Sequence, residues 1–200
     1  MNEIIERIKA IVLRTRQTWE EIESEETPAS RLMVHYVLVL AAVPALALFI
    51  GQWIIGIHIP FAGVYHFSFG ASVLLSVINY IVIVAMIWAV ARILMFVAPK
   101  FGSLGDEDAC FKMAVYSFFP YLAAGVIFII PSFSVIVYLT ALYGLYIMYL
   151  GLPIILKTPE EKTIPFMVVI VVAAIMVFVI GNSIFTVIRG LFGPDLPSIQ

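Results

Sequence analysis

Five long apolar stretches, Leu32 to Ile57, Phe69 to Val97, Phe111 to Ile130, Phe133 to Leu156 and Ile164 to Ile188, constrain this chain more than any other feature of it. Each reaches the roughly 20 mostly apolar residues needed to cross the hydrocarbon of a bilayer. In lipid a backbone has to satisfy its own hydrogen bonds, so stretches of this length read as helices. Composition points the same way: 63% of the residues are hydrophobic and 12% charged, against about half and a quarter in soluble domains. A soluble domain of 200 residues has too little interior to hide that much apolar surface. The expected fold class is therefore all-α: a polytopic membrane protein, a bundle of five transmembrane helices with an N-terminal amphipathic cytoplasmic helix. The expected organisation is an amphipathic helix with an acidic linker over 1–30, the five-helix domain over 31–190 and a short external tail over 191–200. The first stretch is not a cleaved signal peptide, since it starts too late, runs too long and lacks a small-residue cleavage site.

Charge is distributed unevenly. Arg7, Lys9, Arg14, Arg16 and Arg31 precede the first stretch. Arg92, Lys100 and Lys112 flank the second connection, and Lys157 and Lys162 lie between stretches four and five. With five spans these places share one side of the membrane, which the positive-inside rule makes cytoplasmic. The N-terminus is then inside and the C-terminus outside. Between stretches three and four only Pro131 and Ser132 remain, which demands a tight turn in which Ser132 is placed to cap the following helix. The knot KTPEEK, Lys157 to Lys162, reads as a second hairpin turn, with Thr158 or Thr163 as caps.

The first thirty residues behave differently. Ile4, Ile8, Ile11, Val12, Thr15, Trp19 and Ile22 recur at helical spacing, with Arg7, Lys9, Arg14 and Arg16 between them. Two readings fit. In one, the helix lies on the membrane surface, with Arg7, Lys9, Arg14 and Arg16 near lipid phosphates and Trp19 at headgroup level. In the other, it docks on the cytoplasmic ends of the spans.

The expected chemistry is sparse. The spans carry hardly any charge at depth, where transport and catalysis usually place ionisable groups. Asn79 and Asn182 are expected to make interhelical hydrogen bonds. His58, His66 and Asp195 follow no ligand spacing, the single Cys110 allows no internal disulfide, and neither a metal nor a cofactor is expected. No Ser–His–Asp order, HExxH, P-loop or Rossmann glycine pattern occurs, so no enzyme activity is expected.

Two segments carry a resemblance. "AVYSFFPYLAAGVIFIIP" (Ala114 to Pro131) and "YGLYIMYLGLPIILKTPEEKTIPF" (Tyr143 to Phe166), preceded by "QTWEEIESEETP" (Gln17 to Pro28), resemble the Yip1 family of small five-span membrane proteins. Eukaryotic members are Golgi and ER proteins that associate with Rab-type GTPases and with one another, whereas the short entry here looks prokaryotic. The resemblance implies a non-enzymatic scaffold or adaptor. The alternative is a small transporter, channel or lipid-moving protein with a cavity between the spans. The expected partners are the bilayer, a second copy of the chain and a cytoplasmic protein, with no nucleic acid. The candidate functional cluster joins the acidic loop Asp106, Glu107 and Asp108 to Tyr116, Pro120, Tyr146, Gly151 and Pro153 of the two motifs.

Overall fold

The computed structural model describes residues 2–59 and 63–191. The tail expected from 191 onward, with Asp195, lies beyond Leu191 outside the described residues. Seven helical segments follow one another: α1 (Asn2–Leu13) and α2 (Thr15–Ser24), then α3 (Ala29–Ile55), α4 (Phe69–Phe101), α5 (Glu107–Ile129), α6 (Pro131–Ile155) and α7 (Glu160–Leu191). The last five are each long and apolar enough to cross a membrane. Among the described residues the one sheet is a small antiparallel hairpin of β1 (Ile57–Ile59) and β2 (Gly63–Tyr65), which pairs His58 with Val64.

Most helices extend past their apolar runs, because polar residues form the first and last turns. Asp106 accepts a hydrogen bond from the Ala109 amide at 3.1 Å and so starts α5 ahead of Phe111. At the other end of that span the expected cap is absent. The first α-helical turn of α6 follows Phe133 without any side-chain cap, and Ser132 sits instead within a short 3-10 turn over Pro131–Phe133. With so few residues available, the backbone turn itself supplies the bonds, Phe133 N–H to Ile130 O at 2.9 Å.

The turn between α6 and α7 is braced from the side. Lys157 takes a left-handed conformation (φ 51°). The Leu104 amide donates to Leu156 O at 2.7 Å, and the Ser103 hydroxyl donates to Thr158 Oγ1 at 2.9 Å. Thr158 is thereby committed to the neighbouring loop, and Thr163 donates back to Pro159 O at 3.2 Å inside α7.

The connectivity places the N-terminal helices, the 102–106 loop and the Lys157 turn at one end of the bundle, called the charged end below. The β-hairpin and the Pro131 turn lie at the other. Packing rests on close backbone approach. A Cβ on Gly144 of α6 would lie 2.3 Å from Ser117 O of α5, and one on Gly51 of α3 would lie 2.3 Å from Phe128 O. Small residues allow such contact where no solvent drives the helices together. The asparagines contribute less than expected: Asn182 donates to Phe178 O of its own helix at 2.9 Å, and the buried Asn79 Oδ1 has no protein partner.

The core centres on α5, whose Phe111 to Ser117 are all buried. Ile11, Trp19 and Ile22 of the N-terminal helices belong to the same cluster as residues of all five spans.

Candidate functional site

The N-terminal segment is two helices rather than the single one expected. Arg14 breaks it with φ −132° and ψ 47°, and the hydroxyls of Thr15 and Thr18 donate to Ile11 O and Arg14 O at 2.8 and 3.0 Å. Folding α1 back on α2 turns the apolar faces of both toward the bundle. Ile11, Trp19 and Ile22 are then fully buried.

Trp19 is the centre of the contact. Its indole N–H donates to Ile147 O of α6 at 3.0 Å, and its ring meets Tyr116 of α5 edge-on at 6.0 Å between centroids. Gly151 makes the slot: a Cβ there would fall 2.7 Å from Trp19 Cε2. The headgroup position expected for Trp19 is therefore corrected. A buried tryptophan needs both a slot for its rings and an acceptor for its N–H, and α6 supplies the two within one turn.

Polar contacts surround this anchor. The Arg7 guanidinium donates to the Glu25 carboxylate and approaches Glu21 at 3.8 Å. Burial lowers the Arg7 pKa and the Glu25 hydrogen bond raises it; the net direction is upward, so the guanidinium stays charged. Lys112 of α5, only 8% exposed, donates to Ile22 O at 3.2 Å and to Glu25 O. Those carbonyls lie at the C-terminus of α2, where each also accepts one backbone N–H and the helix end is negative, so the ammonium adds a charged donor there. Lys157 pairs with Glu23, the Ala29 amide donates to the Asp108 carboxylate at 2.6 Å, and the Tyr143 hydroxyl donates to Val12 O at 2.7 Å.

The structure thus brings together Tyr116, Gly151 and, at the margin, Asp108. It separates the rest of the expected cluster. Asp106 caps α5, Glu107 faces Arg92 at 3.6 Å, Pro120 is buried deeper in α5, and Tyr146 and Pro153 are exposed on α6. Of the surface set, Lys9, Arg14 and Arg16 are exposed while Arg7 turns inward. Lys112 is the clamp residue that sequence reasoning passed over as a topology signal. Its place inside α5, one turn beyond the acidic loop, was the available clue.

The chemistry of this arrangement is that of a clamp. Among the described residues no group of three His, Cys, Asp or Glu side chains is placed to hold a metal ion, and Cys110 is buried. His66 Nδ1 lies 3.2 Å from Trp53 O, far along the chain from any acidic partner. Replacing Lys112 with Met removes the charged donor from the end of α2 and leaves Ile22 O and Glu25 O with only the Glu25 and Thr27 amides, at 3.3 and 3.0 Å, a loss of about 1.5–3 kcal/mol. Hydrogen exchange in the full chain in nanodiscs is expected to speed up at the amides of Glu25 and Thr27, which close the end of α2, and to stay unchanged along α7.

A family model described as the Yip1 domain matches residues 9–181. Two curated relatives, each named inner membrane protein YohC, come from Escherichia coli strain K12 and from strain O6:H1. Each is 27% identical over 152 residues, covering 72% of this chain and 76% of the relative. No solved structure matches the chain. The family match begins inside α1, so it takes in the clamp helices as well as the spans.

Proposed function

This chain belongs to the Yip1 domain family of membrane proteins, and from that premise we propose that it is a non-enzymatic membrane scaffold whose working surface is the charged end. The single observation that carries the reading is the clamp. An amphipathic helical pair is fixed to the bundle by its apolar face, which leaves Arg16, Glu20, Glu21 and Glu23 facing outward. A fixed, exposed, mixed-charge helix face is a surface for recognising a partner by charge complementarity. The one-sided distribution of Lys and Arg supports a cytoplasmic charged end. The relatives' description as inner membrane proteins of a bacterium supports a prokaryotic plasma membrane.

The cavity between α4, α5, α6 and α7 supports this reading over transport. It has a volume of about 150 Å³ and is lined mainly by apolar side chains such as Met86, Phe118, Met148 and Phe178. At that size it holds about one benzene-sized molecule. Photo-crosslinking in cells tests the scaffold. Crosslinkers at Arg16 and Glu20 are expected to trap a discrete cytoplasmic protein or a second copy, and a crosslinker at Val64 of the β-hairpin is not. Solute or lipid flux in reconstituted vesicles that is abolished by filling the cavity with Ala174→Phe would replace the scaffold with the transport reading.

A further inference from the structure

The clamp fixes the depth of α2 along α6 as well as its existence. Val12 meets Tyr143, Trp19 meets Ile147 and Gly151, and Glu23 meets Lys157. The pairing is parallel and in register, so α2 stands beside the last turns of α6. Tyr143 to Ile155 is about 18 Å of helix. Along that length the α1–α2 hairpin turns charged residues outward: Arg14 at the break and Arg16, Glu20, Glu21 and Glu23 of α2 are all exposed. Charges of this kind do not reside in hydrocarbon, and each costs far more than an ångström of bilayer thinning.

The outer surface of α6 changes character at the same level. Its exposed large side chains from Phe133 to Leu142 are aliphatic or phenyl apart from Tyr138, and those that follow are Tyr143, Tyr146 and Tyr149 without an aliphatic among them. Tyrosines concentrate where hydrocarbon meets headgroups. Counting from Phe133, the hydrocarbon-facing strip of α6 is about 14 Å long to Leu142 and about 24 Å to Tyr149. The opposite flank differs. On α7 exposed aliphatic residues continue from Ile164 through Val172 and Val179 to Leu191, about 40 Å of helix.

We propose that the bilayer is locally thinned beside α6, with its headgroup layer at the level of Tyr143–Tyr149 and the tip of the α1–α2 hairpin rather than at the Lys157 turn. Leu13, 78% exposed at that tip, enters the edge of the hydrocarbon, and Arg14 meets lipid phosphates there. Across α7 the same molecule faces a bilayer of ordinary thickness. This inference is independent of the scaffold reading.

Spin labels test it in the full chain in vesicles of phosphatidylethanolamine and phosphatidylglycerol, with Cys110→Ala removing the native thiol. Tyr149→Cys on α6 and Val168→Cys on α7 lie a similar number of turns from the connecting loop, as do Tyr146→Cys and Val172→Cys. The α6 labels are expected to collide with a water-soluble nickel relaxant several-fold more often than their α7 counterparts, and a label at Leu13→Cys to resemble Tyr146→Cys. Adding Trp19→Ala, which frees the hairpin, is expected to reduce the difference within each pair. Equal accessibility within both pairs overturns the proposal. So does a difference that survives release of the hairpin, because the hairpin would then not set the level. If the Cys110→Ala protein fails to fold, the same labels on the native background decide the matter, since Cys110 is buried and fully covered.

Discussion

Trp19→Ala releases the N-terminal helices. In nanodiscs, trypsin is expected to cleave at Arg14 and Arg16 much faster than in the parent chain, while the five spans stay intact. Truncating a fully buried tryptophan costs about 3–5 kcal/mol, and the lost indole N–H to Ile147 adds about 1 kcal/mol. Docking of two short helices rests on few other apolar side chains, chiefly Ile11 and Ile22, so a loss of that size shifts the docked population. Trp19→Phe separates the two contributions, because it keeps most of the ring volume and removes only the donor. Its effect should be a small fraction of that of alanine. Gly151→Leu approaches the same contact from α6, by filling the slot that the indole occupies. If cleavage at Arg14 is as slow in Trp19→Ala and Gly151→Leu as in the parent, the clamp is not what holds these helices.

Gly144→Val is expected to act on the bundle itself. A Cβ at this position would come within 2.3 Å of the Ser117 carbonyl oxygen, and this neighbour is backbone that cannot rotate aside. The two helices would have to separate along the contact where they pack most closely. Overpacking of this kind costs about 1–3 kcal/mol even where side chains can adjust, and more where only backbone is available. The expected outcome is a large drop in the thermal midpoint in detergent and a loss of yield, with Gly144→Ala intermediate. Gly70→Ala is the control: nothing lies within 4 Å of its added Cβ, and alanine is the better helix former by about 1 kcal/mol. A Gly144→Val protein as stable as Gly70→Ala would show that α5 and α6 do not approach as described.

Much of this fold was legible from the sequence, and the reasons are physical. Length and apolarity decide whether a segment spans a bilayer, so the five helices fell within a few residues of their expected bounds. The family resemblance rested on Tyr116, Gly151 and the turn after Pro153, and a family model extends the match over most of the chain. Pairings between distant segments were not legible. Trp19 and Ile147 are 128 residues apart, and nothing in the periodicity of α2 distinguishes a tryptophan facing lipid from one facing glycine on another helix. The break at Arg14 was hidden for a related reason: Thr15 continues the apolar repeat, and its hydroxyl and that of Thr18 support the break only once the chain has folded back. Lys112 was misread because position in a span gives depth and says nothing about the carbonyls brought to it from α2. Ser132 failed as a cap because the turn was short enough for backbone bonds to serve.

The distance in sequence between Trp19 and its acceptor also sets an order of events during synthesis. The α1–α2 pair leaves the ribosome before any of the spans, yet its slot on α6 is made only after three spans have been produced and a fourth is under way. At roughly 5–20 residues per second, a gap of 128 residues leaves the pair waiting for roughly 6–26 seconds. Through that interval Ile11, Trp19 and Ile22 have no bundle to cover them, and the growing chain has to shelter them against the membrane surface or in a chaperone. The residues that lock the finished protein are therefore its most exposed apolar residues while it is being made.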